Sequence, residues 1–210
     1  ECVYDKIWFY WGIEKIFGGM KMEVRIIGDP VLRKKAQAVN NFDDELEKFV
    51  EEMFSTMYLY EGVGLAAPQV GVSLRLFVMD SREENNKGKK VVINPEILEY
   101  LGEEVSEEEG CLSIPEIFED VYRPEGVKVR YQDINGNVIE EELHGYQARI
   151  FQHEYDHLEG ILFVDKISTL RKALIKKDLA KLSEKGKQRA KEIKKLGDEI
   201  KIWQKKMILG

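Results

Sequence analysis

Residues 127–158 read VKVRYQDINGNVIEEELHGYQARIFQHEYDHL. Asn135-Gly136 is the strongest short hairpin signal available, because both residues accept the left-handed backbone of a tight turn. Val127 to Asp133 and Asn137 to Leu143 flank it as two strands. Gly145 to Leu158 then reads as a helix, with Tyr146, Ile150, Phe151, His153, His157 and Leu158 along one broad side. A hairpin that feeds directly into a part-apolar helix sets the architecture for the rest of the chain.

Working outward, Leu74 to Met79 reads as a strand and Arg82 to Lys90 as a polar loop. Val91-Val92-Ile93 reads as a short buried strand stopped by Asn94-Pro95. Upstream, Gly28-Asp29-Pro30 is a turn, and Asn40, Asn41 and Asp43 are N-cap choices for a helix. That helix carries Leu46, Phe49, Val50, Met53, Met57 and Tyr60 at spacings of three and four, and Gly62 and Gly64 close it. Downstream, Ser168 is an N-cap, and Leu170, Leu174, Ile175, Leu179 and Leu182 repeat at helical spacing up to a break at Gly186. A second helix carries Ile193, Leu196, Ile200, Trp203 and Met207. Strands in the middle with helices on either side predict an α+β fold. We expect a mixed, partly antiparallel sheet packed around a central helix with an HExxH motif, followed by one or two C-terminal helices. Three regions result: an aromatic-rich extension over 1–19, a catalytic domain over 20–167, and a basic helical tail over 168–210.

Charge divides along the same lines. The chain has net charge −7, yet Lys166 to Gly210 hold 15 Lys/Arg against 5 Asp/Glu. A basic tail on an acidic body points to an anionic partner such as RNA or a membrane surface, or to no more than a solvated helix face. Two cysteines, Cys2 and Cys111, make no disulfide framework and suit a reducing compartment, the cytoplasm. No apolar run is long enough to cross a membrane.

The chemistry starts at His153-Glu154-Tyr155-Asp156-His157. Two His four apart on a helix project from one face, separated by a rise of about 6 Å, so both imidazoles can reach one ion. Glu154 can then contact a water on that ion without ligating it. A catalytic site of this kind takes three protein ligands and leaves one position open. His144 lies nine residues before His153 and needs a special turn to reach. Cys111, in Glu109-Gly110-Cys111-Leu112-Ser113, is the better third ligand, since a thiolate binds divalent metals well. The small-residue run Gly62-Val63-Gly64-Leu65-Ala66-Ala67-Pro68-Gln69 allows close backbone approach, and Gln69 offers a donor for a developing oxyanion. Read alone, this run is better explained as a helix C-terminus followed by a turn.

GVGLAAPQ at 62–69, EGCLS at 109–113 and QHEYDHLEG at 152–160, in this order, resemble the three signature motifs of the peptide deformylase family, bacterial type. The resemblance runs from about Met20 to Lys177. It implies an α+β fold and hydrolysis of the N-formyl group from the formyl-methionine of new polypeptides, with release of formate. It also implies that Cys111, His153 and His157 hold one divalent metal, Fe(II) favoured, with Zn, Ni or Co as other occupants. Glu154 is then the general acid/base, Gln69 and the backbone N–H of Leu112 form the oxyanion hole, and Gly64 gives backbone contacts to substrate. Tyr146 and Ile150 on the helix, and Val63 in the first motif, are the expected methionine pocket, with ordinary core packing as the alternative. Arg149, one turn before His153, is expected to pair with Glu109 or another acid. A ribosome-facing C-terminal helix is implied too. The rival readings are an HExxH zinc metallopeptidase, whose third ligand would come from downstream acids such as Asp178 or Glu184, and a non-catalytic protein with a structural metal.

Overall fold

The computed structural model describes residues 22–83 and 87–196. The extension over 1–19 and the expected apolar positions Ile200, Trp203 and Met207 lie outside them. Helix α1 (Asp44–Leu59) is followed by β1 (Gly64–Ala66), β2 (Leu76–Asp80), β3 (Lys89–Cys111), β4 (Ile114–Gln132) and β5 (Val138–His144). The central helix α2 (Gly145–Leu158), a short α3 (Thr169–Leu174) and a long α4 (Lys176–Leu196) complete the described residues. The five strands form one sheet in the order β1-β2-β3-β4-β5. Every neighbouring pair is antiparallel. Among the described residues the parallel component is a single bridge, Gln37 to Leu74.

Local chemistry accounts for most element ends. Asp43 caps α1, its carboxylate accepting from the N–H groups of Glu45 at 3.1 Å and Leu46 at 3.0 Å. Asp44, Glu45 and Glu47 then sit at the positive end of the helix dipole. The expected apolar face of α1 is buried, with Leu46, Met53 and Met57 fully enclosed. The β4–β5 hairpin turns at Asp133 to Asn137, where Asp133 Oδ1 accepts from the N–H groups of Asn135 and Asn137, both at 2.9 Å.

Two elements depart from what their local sequence predicts. The strand at Val91-Val92-Ile93 does not stop at Asn94-Pro95; β3 continues through them to Cys111. A register shift between Ile93 and Glu96 marks a bulge, and Asn94 takes φ 51°. The Asn94 amide exchanges hydrogen bonds with Val39 (2.9 and 2.8 Å), and the bulge leaves Pro95 outside the regular ladder, where its missing N–H costs little. Nor does Gly186 break a helix, since α4 runs through it. Here the helix crosses the segment 22–28 so closely that a Cβ on Gly186 would lie 2.6 Å from the carbonyl oxygen of Ile26. The break falls earlier, at Ile175, so Leu170 and Leu174 on α3 stay 72% and 64% exposed instead of joining the apolar face.

Helix α2 is enclosed on most sides, with Ala148 to Gln152, Glu154 and Asp156 to Leu158 buried. One side packs on the sheet, where Phe151 meets Phe77 edge-on at 5.1 Å between centroids. The other faces a cluster of Ile27, Ile114, Ile117, Val121, Leu162 and Phe163, against which Cys111, Leu179 and Leu182 pack. The expected α+β class, with the HExxH helix at its centre, is the one observed.

Candidate metal centre

His153 and His157 occupy successive turns of α2, with ring centroids 5.2 Å apart. Cys111 ends β3, and the two-residue turn Leu112-Ser113 returns the chain into β4. That turn brings the Cys111 sulfur to 3.2 Å from His157 Nε2. The ligand atoms of Cys111, His153 and His157 lie within 4.8 Å of one another, the one such group among the described residues. His144, the weaker alternative, is exposed at the end of β5 and lies outside the group.

Gln69 is 1% exposed and held at both ends. Its Oε1 accepts from the Ala66 N–H at 2.8 Å. The backbone group can only donate, so the amide oxygen faces it and the NH2 faces the site. Gln69 Nε2 then lies 3.5 Å from the Cys111 sulfur and 3.3 Å from Ser113 Oγ. Glu154 is 4% exposed, and its Oε2 has no hydrogen-bond partner. Its carboxylate lies flat against Gly64, where a Cβ would come within 2.7 Å of Cδ. Burial pushes the Glu154 carboxyl up to about 7, against the pull of His153 and Arg123.

The support behind the histidines escaped the sequence reading, apart from the Arg149–Glu109 pair. Glu109 Oε2 lies 2.9 Å from His153 Nδ1. Arg123, 1% exposed, donates to both Glu109 oxygens at 2.6 and 2.9 Å and to Asp156 at 2.7 Å. Arg149 donates to Glu109 Oε1 at 2.7 Å. Burial pushes the Glu109 carboxyl up, but His153 and Arg123 outweigh it and hold it far below the usual carboxylate range. Burial alone would lower His153; the Cys111 sulfur and Glu109 outweigh it and raise the imidazole to about 10. His157 is pushed well below its ordinary value, first by burial and then by His153, which keeps its ring neutral. Glu109 sits two residues before Cys111, but a register shift between Gly110 and Cys111 interrupts the strand alternation, so spacing alone does not set the two on one face. Arg123 lies across the hairpin, and no local pattern announces it.

The expected methionine pocket is brought together in part. Ile150 and Val63 join one apolar cluster with Ala66, Phe77 and Phe151. Tyr146 stands apart at the start of α2, 53% exposed. Leu112 lies in the turn beside Cys111, with its side chain against the cluster beneath α1.

The polypeptide deformylase profile matches residues 21–173. The peptide deformylase of Thermotoga petrophila is 56% identical over 156 residues, which cover 74% of this chain and 93% of that protein. The chain belongs to the peptide deformylase family. The crystal structure of the Thermotoga maritima peptide deformylase superposes with a TM-score of 0.68 at 55% identity, over 71% of this chain and 99% of that one. An Arabidopsis thaliana peptide deformylase 1B, crystallised with an inhibitor, gives a TM-score of 0.76 at 41% identity, over 80% of this chain and 93% of that one. All three segments that carried the resemblance lie inside the matched range, and all three meet at the candidate centre.

The donor set fits a divalent metal ion. One thiol and two imidazoles converge on a point, one imidazole is kept neutral, and the other is backed by a carboxylate, an arrangement typical of metal-ligating histidine. Three protein ligands leave room for a fourth.

Proposed function

We propose that this peptide deformylase removes the formyl group from the N-terminal formyl-methionine of newly made polypeptides. Cys111, His153 and His157 would hold one divalent ion, which when bound acts as a Lewis acid and lowers the pKa of water toward about 7. The observation that carries the proposal is the convergence of those three ligand atoms within 4.8 Å, with the Gln69 amide aimed at the same point. Glu154 takes the proton of the attacking water. Its carboxyl, raised to about 7 by burial, is matched to giving and taking protons near neutral pH. As the water oxygen adds to the formyl carbon, the carbonyl oxygen becomes an oxyanion, and Gln69 Nε2 and the Leu112 N–H donate to it. One such donor is worth about 2.7–4 kcal/mol in rate. Glu154 then passes its proton to the leaving nitrogen, the C–N bond breaks, and formate and a free amine remain.

Strand β1 is an edge of the sheet, and its Gly64 lies against Glu154. An extended peptide added along that edge would bring its amino end to the site by backbone hydrogen bonds, the use we assign to Gly64. Val63 and Ile150 are proposed to line the methionine pocket, and Tyr146 to contact substrate from the rim. Fe(II) is the metal we favour on family resemblance; zinc, nickel and cobalt suit the same donors. The metallopeptidase reading loses its footing, since Asp178 and Glu184 sit exposed on α4, outside the metal-ligand group.

No helix of the described residues is long and apolar enough to cross a membrane. Lys172, Lys176, Lys177, Lys181 and Lys185 are all exposed, and we assign this face to ribosomal RNA, where formylated chains emerge in the cytoplasm. The test of the activity is formate release from formyl-Met-Ala-Ser by protein purified without oxygen, with metal analysis of the same sample. We expect about one metal per chain and rapid formate release, with both lost in Cys111→Ala. Retained metal in that variant, or metal-loaded protein that releases no formate, refutes the assignment. Ribosome cosedimentation that weakens steeply with salt, and is lost when the five lysines become glutamate, checks the RNA-facing surface.

A further inference from the structure

We infer that helix α4 is a strap that positions the oxyanion donors, and that Gly186 is a positioning residue of the reaction; this rests on the assignment of Gln69 and the Leu112 N–H as those donors. The observations form a continuous path. The segment 22–28 runs between the first and second motifs and is bonded to both. The Arg25 N–H donates to the Gln69 carbonyl at 2.6 Å, and the Ile27 N–H donates to the Ser113 carbonyl at 2.8 Å. One bond therefore holds the backbone that carries the Gln69 amide, and the other holds the two-residue turn that carries the Leu112 N–H.

Helix α4 lies directly on the far side of that segment. A Cβ on Gly186 would overlap the Ile27 carbonyl oxygen and stand 2.9 Å from its carbonyl carbon. At the same crossing, a Cβ on Gly28 would stand 2.7 Å from the Ser183 carbonyl carbon. Two glycines, one on each partner, thus allow backbone-to-backbone contact, which explains a glycine inside a helix where it lowers intrinsic helicity. Arg189 closes the next turn with a two-pronged pair to Glu23, at 2.6 and 2.9 Å. Leu179 and Leu182 insert into the cluster against which Cys111 packs, and the same cluster contains Phe163, which stacks against His153 at 6.2 Å. The helix that looks like an appended basic tail therefore presses on both motif loops through one intermediate strand of chain. Its lysine face stays exposed to any partner.

Gly186→Ala tests the strap in the full chain. Alanine is the better helix former, so α4 itself survives while the crossing is pried open. We expect faster amide exchange at Arg25 and Ile27. We also expect kcat to fall about tenfold with KM nearly unchanged, part of the roughly 10²–10³-fold that loss of one oxyanion donor costs. Combined with Gln69→Ala, the loss should be smaller than the product of the two single losses, because one variant acts through the other's side chain. An exposed control, Lys191→Ala, should leave both parameters unchanged. If Gly186→Ala does not fold, Arg189→Ala removes the clamp without adding volume and should give a smaller kcat loss with the same faster exchange. Faster exchange with unchanged kcat overturns the inference, and so does unchanged exchange at both amides. Gln69→Ala measured alone separates the two possible failures. If it leaves kcat intact, the oxyanion assignment fails. If it lowers kcat while Gly186→Ala does not, the strap fails.

Discussion

Replacing Glu109 by glutamine changes one oxygen to an NH2 and should weaken metal binding without unfolding the chain. The carboxylate accepts four hydrogen bonds: Arg123 Nε at 2.6 Å and Arg149 Nη1 at 2.7 Å on Oε1, with Arg123 Nη2 at 2.9 Å and His153 Nδ1 at 2.9 Å on Oε2. A glutamine keeps the Oε1 pair only if its NH2 takes the Oε2 position. There it opposes the Arg123 donor, and it can bond His153 only if Nδ1 gives up its proton. The proton then moves to Nε2, the nitrogen needed to face the metal. The alternative rotamer sets the NH2 against two guanidinium donors and is worse. Loss of such a partner behind a histidine ligand lowers metal affinity about 10–100-fold, or about 1.4–2.8 kcal/mol. The lost charge-assisted bond to Arg123 adds about 1.5–3 kcal/mol of destabilisation. Chelator competition with zinc measures the first quantity and urea unfolding the second, with the exposed neighbour Glu108→Gln as control. Zinc affinity within twofold of the parent, in a folded Glu109→Gln protein, would refute the claim that this carboxylate fixes the tautomer of His153.

Other perturbations follow from the same contacts. Gly64→Ala places a methyl group 2.7 Å from Glu154 Cδ and should lower kcat at least about 10²-fold in a folded, metal-loaded protein; retained activity would show that Glu154 can swing aside. Arg123→Met leaves Glu109 with Arg149 and His153, and Asp156 with Lys166 alone, and should cost about 3–5 kcal/mol in urea unfolding; a loss under about 1 kcal/mol would mean that those remaining partners suffice. At Asp165, burial raises the carboxyl, but Arg33 and the Leu162 N–H outweigh it and set a value below the ordinary one. The folded pKa lies below the unfolded one, so its contribution is complete above about pH 4 and fades as pH falls through the folded value. Wild type should therefore exceed Asp165→Asn in stability near neutral pH and converge with it in acid; a constant difference across that range would show that the carboxylate charge contributes nothing.

Much of the site was legible because its signals are local. Two histidines four apart share a helix face by geometry alone, and α2 spans Gly145–Leu158 as the pattern indicated. The hairpin around Asn135-Gly136 and the N-cap at Asp43 also depend only on near neighbours. What failed had a distant cause. Asn94-Pro95 reads as a stop because a proline breaks a ladder, yet Val39, far away in sequence, satisfies the Asn94 amide and lets the strand continue. Gly186 reads as a break because glycine weakens a helix, yet here it is the point of closest contact with Ile26 and Ile27.

The sequence by itself determined the reactive groups, their pairing on α2 and the family, since each rests on residue type and short spacing. Only the tertiary structure decided that the sulfur at the end of β3 meets those imidazoles, that Arg123 crosses the hairpin to anchor Glu109, and that helix α4 lies against the segment bonded to Gln69 and Ser113. Contacts between residues far apart in the chain are set by how the whole core packs, and no local pattern encodes that.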